Sequence, residues 1–248
     1  MCSSSSPELI IFDHTKYGMI PVIQNKDAED VIAEAFDVSS KGKRVAIISP
    51  ANSLGFMDGG IELVYMLGMK GVQKIVYNGI KLLDRPTLLK RPHLPVGMCM
   101  AFQPYGSKNE NFWFISCPTM FLPGSVKKTN NAMWAMRAAS CMVRFLKCDR
   151  VYTSLMCAGY GKMSPEQSVQ QMMQGWEAAA AVSDDIDYQI FNSPHGKFIY
   201  CEPMRDEQSL LKQIANEQPR DYGLTEFVDR EGEEEEGAKS KVVPPSVL

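Results

Sequence analysis

The stretch Ser49-Pro50-Ala51-Asn52-Ser53-Leu54-Gly55-Phe56-Met57-Asp58-Gly59-Gly60-Ile61-Glu62 decides the fold. The short apolar run before it, residues 45–48 (Val-Ala-Ile-Ile), reads as a buried strand bounded by polar residues. An amide, three glycines and two carboxylates follow, ahead of an apolar segment that begins at Ile61. A strand that ends in a Gly-rich turn and enters a helix points backbone N–H groups at a helix N-terminus, where they can cradle a phosphate. It also lies at the carboxyl edge of a sheet, where α/β folds bind ligands. An ordinary chain reversal needs the glycines but not Asn, Asp and Glu gathered around them.

Outward from this loop, strands and helices alternate. A strand is expected at residues 8–12, a helix at 26–36 with Val31, Ile32, Ala35 and Phe36 on one face, and a turn at 39–43. Helices are expected at 61–68 and 71–83, the second ended by Arg85-Pro86. Residues 94–102 and 112–117 read as strands joined by a turn at 105–109. A long helix follows at 130–146 with Thr129 as its cap, then a β-branched strand at 151–156. Cys157-Ala158-Gly159-Tyr160-Gly161-Lys162-Met163 forms a second Gly-containing loop, and Ser164-Pro165-Glu166-Gln167 opens a helix reaching about 182. Beyond 183 the pattern becomes a hairpin, 187–191 and 197–200, and a short helix at 208–216. The expected organisation is a disordered lead over 1–7, one domain over 8–216, and an acidic, disordered tail over 217–248 containing Glu233-Glu234-Glu235-Glu236.

Composition narrows the functions. The chain has 248 residues, 45% hydrophobic, with net charge −3 and a pI near 5.7, enough apolar residue for a full core and the wrong charge for generic nucleic-acid binding. No apolar run approaches the ~20 residues of a membrane span, and the Ser-rich start has neither the basic nor the apolar region of a secretory signal. Seven cysteines, without a Cys-x-x-Cys pair, share no ligand spacing with the three histidines. The expectation is no metal, no cofactor, and free buried thiols in a reducing cytoplasm or nucleus. An acidic run is usually a solvating tail, so a protein partner at the C-terminus is the lesser reading.

The order of residues 49–62 resembles the macrodomain family, and most closely a divergent branch whose loop reads Ser-Pro-Ala-Asn-Ser-x-Gly-Phe-Met-Asp-Gly-Gly-Ile. Cys117-Pro118-Thr119-Met120, Thr129-Asn130-Asn131-Ala132, Met136-Arg137-Ala138-Ala139 and Ala158-Gly159-Tyr160-Gly161-Lys162-Met163-Ser164-Pro165-Glu166 resemble further segments of that branch. The likeness covers roughly residues 43–182. It implies a three-layer α/β/α macrodomain with a mixed central sheet, extended by the C-terminal hairpin and helix. It also implies a ligand, ADP-ribose or an ADP-ribosylated substrate.

Two Gly-rich turns suit such a ligand, because their N–H groups can hold a diphosphate without Lys or Arg. The resemblance implies that Ala51, Gly59, Gly60 and Ile61 line one side of the ligand and Ala158, Gly159, Tyr160 and Gly161 the other. Asn52 is implied to face the distal ribose, with an Asx-turn as its plainer role. Asp37, in Phe36-Asp37-Val38, stands where the family carries an adenine-binding Asp; Asp13 is a rival, and a solvent-facing Asp is the plain alternative. Departures bear on catalysis: Glu62 replaces a usual Asp, Asp58 a usual Gly, and Ala158 a usual Thr. With no Ser-His-Asp or Cys-His set near the loops, hydrolysis would use water activated by a carboxylate or by the substrate's phosphate. Asn52, Asp58 and Glu62 are the candidate catalytic group for an ADP-ribose 1″-phosphate phosphatase or a mono-ADP-ribosyl hydrolase. The alternative is a non-catalytic ADP-ribose reader or an interaction module.

Overall fold

The computed structural model describes residues 7–13, 23–83, 92–180 and 186–203, and all of them belong to one compact unit. A second unit, Glu207–Leu248, lies outside the described residues, as do the expected helix at 208–216 and the acidic tail.

The elements in chain order are β1 (Glu8–Asp13), β2 (Ile23–Asn25), α1 (Ala28–Ser40), β3 (Val45–Asn52), α2 (Gly60–Gly68) and α3 (Val72–Leu82), then β4 (Cys99–Phe102), β5 (Phe112–Met120), α4 (Asn131–Phe145), β6 (Arg150–Ser154), α5 (Pro165–Ala180), β7 (Asp187–Ser193) and β8 (Gly196–Glu202). The eight strands make one sheet in the order β2-β1-β6-β3-β5-β4-β8-β7. From β2 to β5 neighbours are parallel; β4, β8 and β7 add antiparallel pairings. Helices cover both faces, so the three-layer architecture with a mixed central sheet is the one found. The hairpin β7–β8 is not an appendage, because β8 joins the central sheet beside β4, with Cys201 opposite Cys99.

Alternation along β3 shows how the sheet divides the core. Val45 and Ile47 pack with Val31, Tyr65, Val76 and Phe114 on the face covered by α1, α2 and α3. Ala46 and Ile48 pack with Ala135, Met142 and Met172 on the face covered by α4 and α5. The six described cysteines are all free and buried.

Three of the boundaries that differ from expectation have a local cause. Helix α1 continues to Ser40 because the hydroxyls of Ser39 and Ser40 both donate to Phe36 O, at 2.8 Å, and hold the last turn that a Ser-Ser-Lys-Gly run would be expected to break. Strand β3 runs on through Pro50 to Asn52. Its pairing to β6 stops at Ile48, so the missing proline N–H costs no ladder bond on that side. The strand expected at 94–102 begins only at Cys99, since Gly97 sits at φ 85.

Gly175 lets α4 and α5 touch. A Cβ there would stand 2.9 Å from Arg137 N and closer still to Met133 O, both backbone atoms that cannot swing aside. Gly175→Ala is therefore expected to lower stability by about 3 kcal/mol, read as a shifted urea midpoint at unchanged slope. A loss below about 0.5 kcal/mol would show that the two helices part freely.

Candidate functional site

Strands β3 and β6 lie side by side and end at the same edge of the sheet. The loops leaving them enclose a cleft of about 270 Å³. Ala51, Asn52, Asp58, Gly59, Gly60, Ile61 and Glu62 line it from the first loop, and Gly159, Tyr160 and Gly161 from the second. Thr119, Met120 and Pro123, at and beyond the end of β5, close a third wall. All three segments arrive together because β3 pairs with both β5 and β6, with a register shift between Ala51 and Asn52 that turns the chain out of the sheet.

Asn52 organises the first loop. Its Oδ1 accepts from the N–H groups of Leu54 (3.1 Å) and Phe56 (3.2 Å), and its Nδ2 donates to Phe56 O (2.6 Å) and to Glu62 Oε2 (3.4 Å). This is the Asx-turn arrangement, made at a residue only 4% exposed. Both polar atoms are thus occupied by the protein itself. Helix α2 then opens at Gly60, whose φ of 58 favours glycine. The first-turn N–H groups of a helix have no partner within it, so those of Gly60, Ile61 and Glu62, all residues lining the cleft, are available there as donors.

Glu62 lies in the first turn of α2 and is 8% exposed. Burial holds its carboxyl well above the ordinary range; Asp58 adds to the shift, while hydrogen bonds from the backbone and side chain of Asn52 offset part of it. Asp58 itself is exposed. The cleft therefore carries two carboxyl groups in opposite environments, one buried and one in water.

The second loop folds back on itself. Met163 N donates to Cys157 O (3.0 Å), Lys162 N to Gly159 O (3.2 Å), and Val126 N to Gly161 O (2.8 Å). Gly161 is required by this closure, since a Cβ there would stand 2.8 Å from the Cys157 carbonyl carbon. Among the described residues nothing accepts from the N–H of Gly159, Tyr160 or Gly161, so this loop too presents unspent donors. Cys157 holds a left-handed φ of 64, strain of the kind that collects at ligand sites. Burial pushes its thiol up to about 12, which removes it as a nucleophile at neutral pH. Tyr160, 57% exposed, lays its ring across the first loop, its hydroxyl 2.9 Å from where a Cβ on Gly59 would sit.

Two expected ligand residues lie elsewhere. Asp37 sits on α1, ion-paired to Lys41 at 2.6 Å and exposed. The end of α1 is tied to Asn109 and Asn111, just before β5 begins, so Asp37 stands at the amino edge of the sheet, opposite the cleft. It is corrected to a surface residue. Ala158 does not line the cleft but packs against the α4–α5 core. Asp13 ends β1 one residue past the Phe12–Ser154 pairing, which places its backbone at the cleft edge of the sheet. Thr119 and Met120 enter the sequence reading only through the resembling segment 117–120, which Pro123 follows. No local signal marks them as cleft walls, because their position follows from long-range pairing with β3. Among the described residues, no group of three His, Cys, Asp or Glu is placed to hold a metal ion, and no helix is long and apolar enough to cross a membrane.

No family model and no curated protein sequence matches the chain. Among solved structures, it is similar to the macrodomain of Mycobacterium tuberculosis DarG at 15% identity over 54% of this chain and 81% of that one, TM-score 0.44. The Thermus aquaticus DarG macrodomain is similar at 14% identity over 54% and 82%, TM-score 0.44. Thermosipho africanus DarTG, in complex with ADP-ribose, is similar at 13% identity over 53% of this chain and 35% of that one, TM-score 0.44. At this level the likeness is partial, and the chemistry of the cleft rests on its own residues.

Proposed function

We propose that the cleft binds ADP-ribose or an ADP-ribosylated substrate through its diphosphate, and that it hydrolyses the bond at the distal ribose. The observation that carries this reading is the pair of facing N–H arrays, the first turn of α2 and residues 159–161, on two walls of one cleft whose lining includes no described Lys, Arg or His. Such arrays bind a diphosphate while leaving the protein's net charge at −3. The two carboxyl groups supply the chemistry. Water oxygen joins the distal C1″, and the bond from C1″ to the linking atom breaks with its electron pair on that atom. Glu62, whose burial favours the protonated form, gives that atom its proton, and Asp58 takes one from the water. Asn52 positions Glu62 and the loop. A reducing cytoplasm or nucleus is the setting that fits free thiols.

The Asp58 carboxylate beside the distal ribose disfavours a further phosphate there, so protein-linked ADP-ribose is the expected substrate rather than ADP-ribose 1″-phosphate. Incubation with each, following free ADP-ribose and phosphate, is expected to show at least tenfold faster release of ADP-ribose from protein. Faster phosphate release would overturn that preference. A second reading, a non-catalytic reader, is favoured by the burial of Glu62 and the complete commitment of Asn52 to its own loop. Binding of ADP-ribose with no turnover of either substrate would establish it.

A further inference from the structure

Behind the floor of the cleft, polar groups go unanswered. The hydroxyls of Ser49, Ser154 and Tyr65 are buried and have no hydrogen-bond partner among the described residues. Ser49 precedes the cleft-lining Pro50, and Ser154 precedes the cleft-lining Leu155. The β3–β6 register pairs Ile48 with Thr153, so the next step sets Ser49 beside Ser154. Both fall on the face of Ile47 and Tyr152, which is also the face that Tyr65 enters from α2 with its ring edge-on to Phe114. The two serine hydroxyls make no hydrogen bond to each other although neighbouring strands run only about 4.8 Å apart, which leaves both open to one bridging molecule. Leaving such groups bare in a core is costly, and natural proteins answer them with ordered water that makes about three bonds.

We propose that Ser49, Ser154 and Tyr65 together hold one buried water at the back wall of the cleft, behind Glu62. The site is part of the fold and does not depend on what the cleft binds. Tyr65 stands three residues from Glu62 on the buried side of α2, so the water sets a fixed, orientable dipole behind that carboxyl.

A double-mutant cycle on the full chain tests this by urea unfolding. Removing a hydroxyl that has no partner is neutral or stabilising, whereas removing one of three ligands to a shared water weakens folding. Ser49→Ala and Ser154→Ala are each expected to reduce the folding equilibrium constant about tenfold, and the double variant to lose at least fivefold less than the product of the two. Tyr65→Phe is expected to couple to Ser49→Ala in the same way. Additive effects of either sign, or single variants as stable as the parent, would overturn the proposal. A water signal in contact with Tyr65 by NMR, lost in the double serine variant, is the direct sign of the site; persistence of that signal would overturn it equally.

Discussion

Gly159→Glu is expected to abolish ADP-ribose binding while leaving the fold intact. A Cβ at Gly159 meets nothing within 4 Å, and its φ lies outside the left-handed range, so any side chain fits the backbone there. The substitution even removes conformational freedom from the unfolded chain, which tends to stabilise. What it changes is the cleft, since residue 159 lines the wall that offers N–H donors to an anion. A carboxylate placed among those donors takes them for itself and repels the diphosphate. For a micromolar parent, about −8 kcal/mol, calorimetry should show at least a hundredfold loss, with the melting temperature unchanged within about 2 °C. Gly159→Gln adds similar bulk without charge and is expected to lose markedly less. Equal binding by Gly159→Glu would place the ligand elsewhere, and no binding by the parent would remove the ADP-ribose reading itself.

The alternation of β3, the Gly-rich loop and the α/β order were legible because each is local: apolar runs of strand length, then turn residues, then helical spacing. The two loops meeting at one sheet edge was also expected, and the parallel pairing of β3 with β6 delivers it. The place of Asp37 follows from topology rather than local composition: α1 leads into β3, which starts at the amino edge of the sheet, so the end of that helix stands opposite the cleft. Ser39 and Ser40, bonding back to Phe36 O, only add its last turn. Asn52 carried two readings that sequence could not separate, since an amide suits a ribose diol and an Asx-turn alike. The four bonds that occupy it depend on where Phe56 and Glu62 come to rest. The ring of Tyr160 over Gly59 and the third wall from β5 involve residues about 100 and 70 positions away in sequence, beyond the reach of any periodicity.

Glu62→Gln is expected to cost function and add stability at once, in a pH-dependent way. In the folded protein burial raises the carboxyl well above its unfolded value of 4.5. A carboxyl raised in this way favours folding fully below the unfolded value. That contribution is lost as pH climbs through the folded value, because the unfolded chain ionises freely and the buried group cannot. Glutamine is neutral throughout and keeps an oxygen to accept from Asn52 Nδ2. Near pH 4 the variant and parent should therefore melt together, while at pH 8 the variant should melt higher by about 3 °C or more, the scale of roughly 1 kcal/mol in a chain of this size. Turnover should fall by a factor of about 100 or more, since glutamine has no acidic proton for the leaving atom, with ADP-ribose affinity within about threefold of the parent. The two halves are separable. A variant less stable than the parent at pH 8 would mean that Glu62 is ionised and held by partners, contrary to its burial. Undiminished turnover with the stability gain intact would leave Glu62 a buried structural acid and pass the catalytic role to Asp58 or to the substrate's own phosphate.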